Sequence, residues 1–208
     1  MRDRDDVTTP GRYAAWIAEN RLPVAESIRR VRPYLLASAA LLAAGFAVAL
    51  VWYEPTASGG SGGTDQAVAT LSAVDIAVNN LFVTVTFASG WVLLGMPTVA
   101  GLVFNGYLLG SLSRELVAIG NDPVVVALYV VPHGMFEIPG LLLAATVGLV
   151  PPVRLAQYVA GRRDRILDAP ETVALVELFA LAVVLICVGA AVETRATGAI
   201  ARTLLGGG

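Results

Sequence analysis

Long apolar runs alternate with short polar stretches rich in proline and glycine along the 208 residues of the chain. A hydrocarbon layer of ~30 Å is crossed by ~20 helical residues, and runs of about that length occupy 34–53, 75–94, 97–118, 123–150 and 172–192. None shows the strict alternation of a barrel strand, so the pattern predicts an all-α protein: a polytopic transmembrane helix bundle of about five spans.

The stretches between the runs set the boundaries. Pro33 suits a first helical position, and the uncharged run from Tyr34 to Tyr53 ends on Trp52 and Tyr53, which favour membrane interfaces. Residues 54–65 form a Gly/Ser connector. Ser72-Ala73-Val74-Asp75 resembles a capping box before the second span. Met96-Pro97 breaks the chain before the third, which ends at Gly120, a C-cap candidate. Asn121-Asp122 caps the segment that begins at Pro123. Residues 123–131 rise only about 13 Å as a helix and cannot cross alone.

Charge decides the topology. Seven arginines lie between Met1 and Arg32 against five acids, and Arg154, Arg162, Arg163 and Arg165 follow the fourth run. The positive-inside tendency places both groups in the cytoplasm, which requires a full crossing by 123–150, broken at Pro132-His133-Gly134. Pro151-Pro152 ends it, and Asp168-Ala169-Pro170 introduces the last span, with the C-terminus outside. The expected organisation is a cytoplasmic Arg-rich segment, 1–33, and one transmembrane domain, 34–208, in the cell membrane. Val24, Ile28, Val31 and Leu35 recur at helical spacing, which suits either a helix lying on the membrane surface or a solvated lead-in to the first span.

Composition agrees with this layout: 56% hydrophobic residues, 14% charged residues and a mean hydropathy of +0.72 exceed what one soluble domain of this size can bury. The net charge of -2 gives no footprint for nucleic acid. All 14 basic residues are arginine. The first apolar run has spanning length, so no cleavable signal peptide is expected. Cys187 is the only cysteine, which excludes an intramolecular disulfide and a cysteine-based metal site.

The candidate chemistry is concentrated in Pro132-His133-Gly134-Met135-Phe136-Glu137-Ile138-Pro139-Gly140, which holds the only histidine. Ionisable groups are expensive in hydrocarbon and mark functional sites by default. His133 and Glu137 are spaced to share a helix face, while Pro132, Gly134 and Pro139 weaken the helix around them. Asn79, Asn80 and Asn105 are further polar groups in spans and need partners, because an unsatisfied amide in hydrocarbon costs about 2–7 kcal/mol. Gly106 and Gly110 form a small-xxx-small pair that packs helices, within this chain or at a dimer seam.

Three readings of the island stand: a structural knot in which His133, Glu137 and the asparagines satisfy one another, a proton or solute path, and catalysis. The last has least behind it, since the string is not H-E-x-x-H, and neither a nucleophile elbow nor a P-loop occurs. No metal or other cofactor is expected.

The asparagines at 79–80, the glycines from Gly90 to Gly95, Asn105-Gly106 through Gly110, and above all the Pro132-His133-Gly134-x-x-Glu137 string resemble the SpoIIM family of stage II sporulation protein M membrane proteins. The similarity covers about residues 76–150. It implies a polytopic membrane fold and a non-enzymatic role as scaffold, anchor or regulatory component of a membrane complex, as for the namesake, which acts with peptidoglycan-degrading enzymes during engulfment. Expected partners are the lipid bilayer and other membrane or envelope proteins, with a homo-oligomer left open. The alternative is a small permease, or a subunit of one, using the cluster around His133 and Glu137.

Overall fold

The computed structural model describes residues 10–56 and 73–205, and their side chains except those of 10, 73–76, 125, 128–133 and 193–205. Among the described residues six α-helices follow one another: α1 (Pro10–Asn20), α2 (Val24–Trp52), α3 (Ala73–Ala88), α4 (Met96–Ala118), α5 (Pro123–Val159) and α6 (Ala169–Leu205). A 3-10 turn, Ser89–Leu93, extends α3. No strand occurs among the described residues.

The local signals explain several ends. Asp122 caps α5 by accepting the Val124 amide at 2.7 Å, with Pro123 in the first turn. α4 stops in a Schellman motif: Gly120 adopts φ +97, its amide donates to Val117 O, and the Asn121 amide donates to Leu116 O. Gly161 closes α5 in the same way, at φ +67, with Arg162 N donating to Gln157 O at 2.9 Å.

Two helices run through expected boundaries. α2 contains Pro33 in its interior, so the stretch 24–35 and the first span form one helix. α5 continues without interruption through Pro132, His133 and Gly134, where a break was expected, and past Pro151-Pro152 to Val159. The balance of costs favours continuity. A proline inside a helix forfeits one hydrogen bond and costs about 3 kcal/mol, whereas opening the backbone in an apolar layer strips several N–H and C=O groups of partners at several kcal/mol each.

Directions follow from close approaches of the backbone. Gly45 lies against Val103, Gly106 against Leu42 and Phe46, and Gly110 against Phe46 and Ala49, so α2 and α4 run parallel. Gly148 meets Phe87 O and Asn80 meets Glu137, making α3 and α5 parallel to each other. α5 and α6 are antiparallel, with Gly140 against Ala182 and Ile186. Gly101 packs on Phe87 and Gly90 on Thr98, making α3 and α4 antiparallel, so helices α2, α4 and α6 point one way, α3 and α5 the other.

The core joins Val31, Phe87, Leu102, Leu143, Ala144, Ala145, Val150, Leu175, Leu178 and Ala182, drawn from all of α2 to α6. Large apolar side chains also cover the outside: Phe82, Trp91, Phe104, Val176 and Val184 are all exposed. Among the described residues three helices are long and apolar enough to cross a membrane, Val24–Trp52, Gly134–Val159 and Ala169–Val192. The expected spans 75–94 and 97–118 correspond to α3 with its 3-10 turn and to α4. The first is a shorter apolar helix over Ala77–Leu93, and α4 is diluted by Asn105, Arg114 and Glu115.

Candidate functional site

Inside the bundle, the Asn80 side-chain amide on α3 donates to Glu137 Oε1 on α5 at 2.7 Å. Asn79 Nδ2 donates to Asn80 Oδ1 at 3.3 Å, and Thr84 Oγ donates to Asn80 O at 2.7 Å, one turn down the same helix. α6 contributes the third wall. A Cβ on Gly189 would fall 2.7 Å from Glu137 Cγ, so the glycine makes the space the glutamate occupies. Asn80 and Glu137 are half-buried, and a polar group in an apolar layer is costly unless bonded. The bond joins α3 to α5, and Gly189 lets α6 pack against it.

The pair lies between two polar ends of the bundle. At one, Arg154, Arg163 and Glu171 gather; Glu137 is about 25 Å from Arg154 along α5 at ~1.5 Å per residue. At the other, Glu115 Oε2 accepts from the Tyr53 hydroxyl at 3.1 Å and the Thr56 amide at 3.2 Å, and Arg114 Nη1 donates to Leu50 O at 2.8 Å.

The remaining expected site residues separate. Asn105 donates to Gly101 O of its own helix at 2.8 Å and does not join Asn79 and Asn80. Gly106 and Gly110 face α2 of the same chain. Pro132, Gly134 and Pro139 lie within continuous α5, where Gly134 has only Ile138 near its missing side chain. His133 is one turn from Glu137 on α5; its side chain, the Ser72–Asp75 cap and most of the 54–65 connector fall outside the described residues and side chains.

The sequence reading missed the centre at the other end. Asp168 and Glu171 form a reciprocal capping box at the start of α6: Glu171 N donates to Asp168 Oδ1 at 2.7 Å, and Asp168 N to Glu171 Oε2 at 3.3 Å. The same Glu171 pairs with Arg154 Nη2 at 2.8 Å and Arg163 Nη2 at 2.7 Å, and its side chain is only 11% exposed. The Glu171 hydrogen bond, more than any other influence, holds the Arg163 guanidinium above its ordinary range. Arg154 also stacks over Tyr34 of α2, 5.7 Å from the ring centroid. One carboxylate thus binds the last turns of α5, the loop and α6, with α2 one contact away. The signal was present as Asp168-Ala169-Pro170-Glu171 before an apolar run.

Two apolar clefts open on the outside of the bundle. One of about 310 Å³ is lined by Leu50, Pro55, Ser113, Arg114, Val117 and Ala118. The other, about 390 Å³, runs past Trp91, Val147, Thr172 and Phe179. Neither is lined by Asn80 or Glu137. Among the described residues no three or more His, Cys, Asp or Glu side chains gather as a metal site would require.

Comparison with known proteins gives two findings. The family model of stage II sporulation protein M matches residues 25–198. An uncharacterized protein of Methanocaldococcus jannaschii is 29% identical over 131 residues, which is 62% of this chain and 73% of the relative. No solved structure matches.

Proposed function

The chain belongs to the stage II sporulation protein M family, and from that premise we propose that it is a non-enzymatic membrane scaffold, anchoring or regulating a complex of other membrane or envelope proteins. The observation that carries this reading is the bonding of internal polar groups to one another and to backbone, from which the buried Ser27 and Ser38 hydroxyls are excepted. Asn80 and Glu137 bond to each other, Thr98 to Phe87 O, and Asn105, Thr84 and Thr146 to their own helices. Polar groups consumed in this way specify helix arrangement.

Five crossings accompany the proposal. The alternating directions of α2 to α6 support it, as does the gathering of Arg154, Arg162, Arg163 and Arg165 at the end where α2 begins. In a Cys187→Ser background, cysteines at Ile119 and Arg162 are expected to react with a membrane-impermeant maleimide from opposite sides. Labelling of both from one side refutes this topology.

The Asn80–Glu137 pair, held within an apolar layer, favours one rival, a permease or permease subunit. Flux measured in proteoliposomes under solute and pH gradients separates the two. The scaffold reading expects no flux, and lower folded yield for Glu137→Gln and His133→Asn. Gradient-driven flux lost in Glu137→Gln, with normal yield, overturns it.

A further inference from the structure

α1 packs little of itself against the rest of the protein: every described side chain from Gly11 to Glu19 is exposed. Its exposed residues are nonetheless sorted. Tyr13, Trp16 and Ile17, 52%, 43% and 44% exposed, fall at i, i+3 and i+4 on one face, while Gly11, Ala15 and Ala18 lie opposite and Arg12 and Glu19 share a flank. Two aromatics with polar tips beside an aliphatic residue suit the boundary between headgroups and acyl chains.

The position of the helix is fixed by the next residue that carries charge. Arg21 Nε, in the turn between α1 and α2, meets Glu177 Oε1 at 2.7 Å. Glu177 lies about 9 Å farther into α6 than Glu171, and its other oxygen is buried without a hydrogen-bond partner. The pair therefore holds the turn against the flank of the bundle, at a level inside the ring of Arg154, Arg163 and Glu171. α1 leaves from there. The surrounding charge is positive on balance: residues 1–32 carry seven arginines against five acids, and Arg29, Arg32, Arg162 and Arg165 are exposed at the same end, with Asp164 among them.

We propose that α1 is an interfacial helix that beds Tyr13, Trp16 and Ile17 into the leaflet where α2 and α6 begin, and that anionic headgroups hold it there. The occupant of the aromatic face is the bilayer that surrounds the bundle. The tether at Glu177 sets the depth, and the excess of arginine supplies charge complementarity to phosphate. This rests on the reading of α2 to α6 as a membrane-embedded bundle.

The test uses the full chain. Trp52→Phe and Trp91→Phe, at positions 73% and 60% exposed, leave Trp16 as the sole tryptophan of the three. The protein is reconstituted in phosphatidylcholine vesicles, with and without phosphatidylglycerol, using lipids brominated at shallow or deep chain positions. Shallow bromine should remove most of the Trp16 emission when phosphatidylglycerol is present, with a blue-shifted maximum and weak quenching by acrylamide. Less quenching is expected without the anionic lipid.

Water-like emission quenched freely by acrylamide in both vesicles overturns the proposal. So does protection from acrylamide without bromine quenching, which means that a second copy or another protein covers the face. Equal bromine quenching in both lipids overturns the role of the anionic headgroups. Failure of the protein to enter vesicles at all would instead remove the membrane-embedded reading beneath it.

Discussion

Gly106→Ala tests one of the closest backbone approaches among the described residues. A Cβ at this position would strike Leu42 O and lie 2.9 Å from both Leu42 C and Phe46 N, all of them backbone atoms of α2. Backbone in a helix cannot rotate aside, so α2 and α4 must separate. Overpacking of this kind costs about 1–3 kcal/mol, and the rigid obstacle argues for the upper part of that range. The substitution also removes the flexibility of glycine, which favours the helix by about 1 kcal/mol. The net expectation is destabilisation by about 1–2 kcal/mol. Gly11→Ala is the control, because nothing lies within 4 Å of its missing Cβ; there only the helical gain remains. Denaturation of both variants in the same detergent, followed by circular dichroism, should move their midpoints in opposite directions. Equal stability of Gly106→Ala and Gly11→Ala would refute the backbone-contact argument, and so would a large loss in both.

Removing the Asn80–Glu137 bond by Asn80→Ala should cost about 0.6–1.5 kcal/mol, and a double-mutant cycle with Glu137→Ala should return a coupling of that sign; additive effects would mean that the two side chains do not interact. Glu171→Ala loses two arginine partners and the capping box at once, with an expected cost of about 3 kcal/mol, and its thermal melt should be lower than that of any other single carboxylate variant at this end. Arg21→Gln should change global stability by less than ~1 kcal/mol, because Arg21 is 64% exposed, yet it should raise proteolysis between α1 and α2; unchanged cleavage would count against the tether. Gly189→Ala places a Cβ 2.7 Å from Glu137 Cγ and should destabilise wild type more than it destabilises Glu137→Ala, which has no Cγ to collide.

The sequence exposed those parts of the fold that depend on apolar length and local punctuation. The caps at Asp122 and Gly120 follow from residue types whose local preference coincides with the tertiary demand. Proline was the misleading signal. In water, Pro132 and Pro151-Pro152 would be reasonable helix ends, but in an apolar surrounding the alternative to a strained helix is unbonded backbone, and α5 persists. The candidate site was half legible: Asn80 and Glu137 stood out as costly groups within one expected cluster, but Glu137 was matched to His133 on its own helix face and the bond from Asn80 was not singled out, whereas Asn105 satisfied itself on Gly101 O. Its bond to a carbonyl one turn back leaves no trace in residue spacing. Gly189 was invisible, because its contribution is the absence of a side chain opposite Glu137. The Glu171 centre was overlooked because Arg154 and Arg163 were read for their sign alone, although the capping box beside them was present.

The parallel contact of α2 with α4 bears on how the chain is assembled. These helices are not neighbours in sequence, so their glycine-lined seam forms only after α3 has returned the chain to its starting side. Until α4 arrives, the groove around Gly45 and Ala49 faces whatever surrounds the nascent chain. Docking of α4 therefore follows the placement of α2 and α3 and itself closes the large loop that joins it to α2. A substitution at Gly45 or Gly106 should accordingly leave the early steps of assembly nearly unchanged and show itself chiefly in a shorter lifetime of molecules that have already assembled.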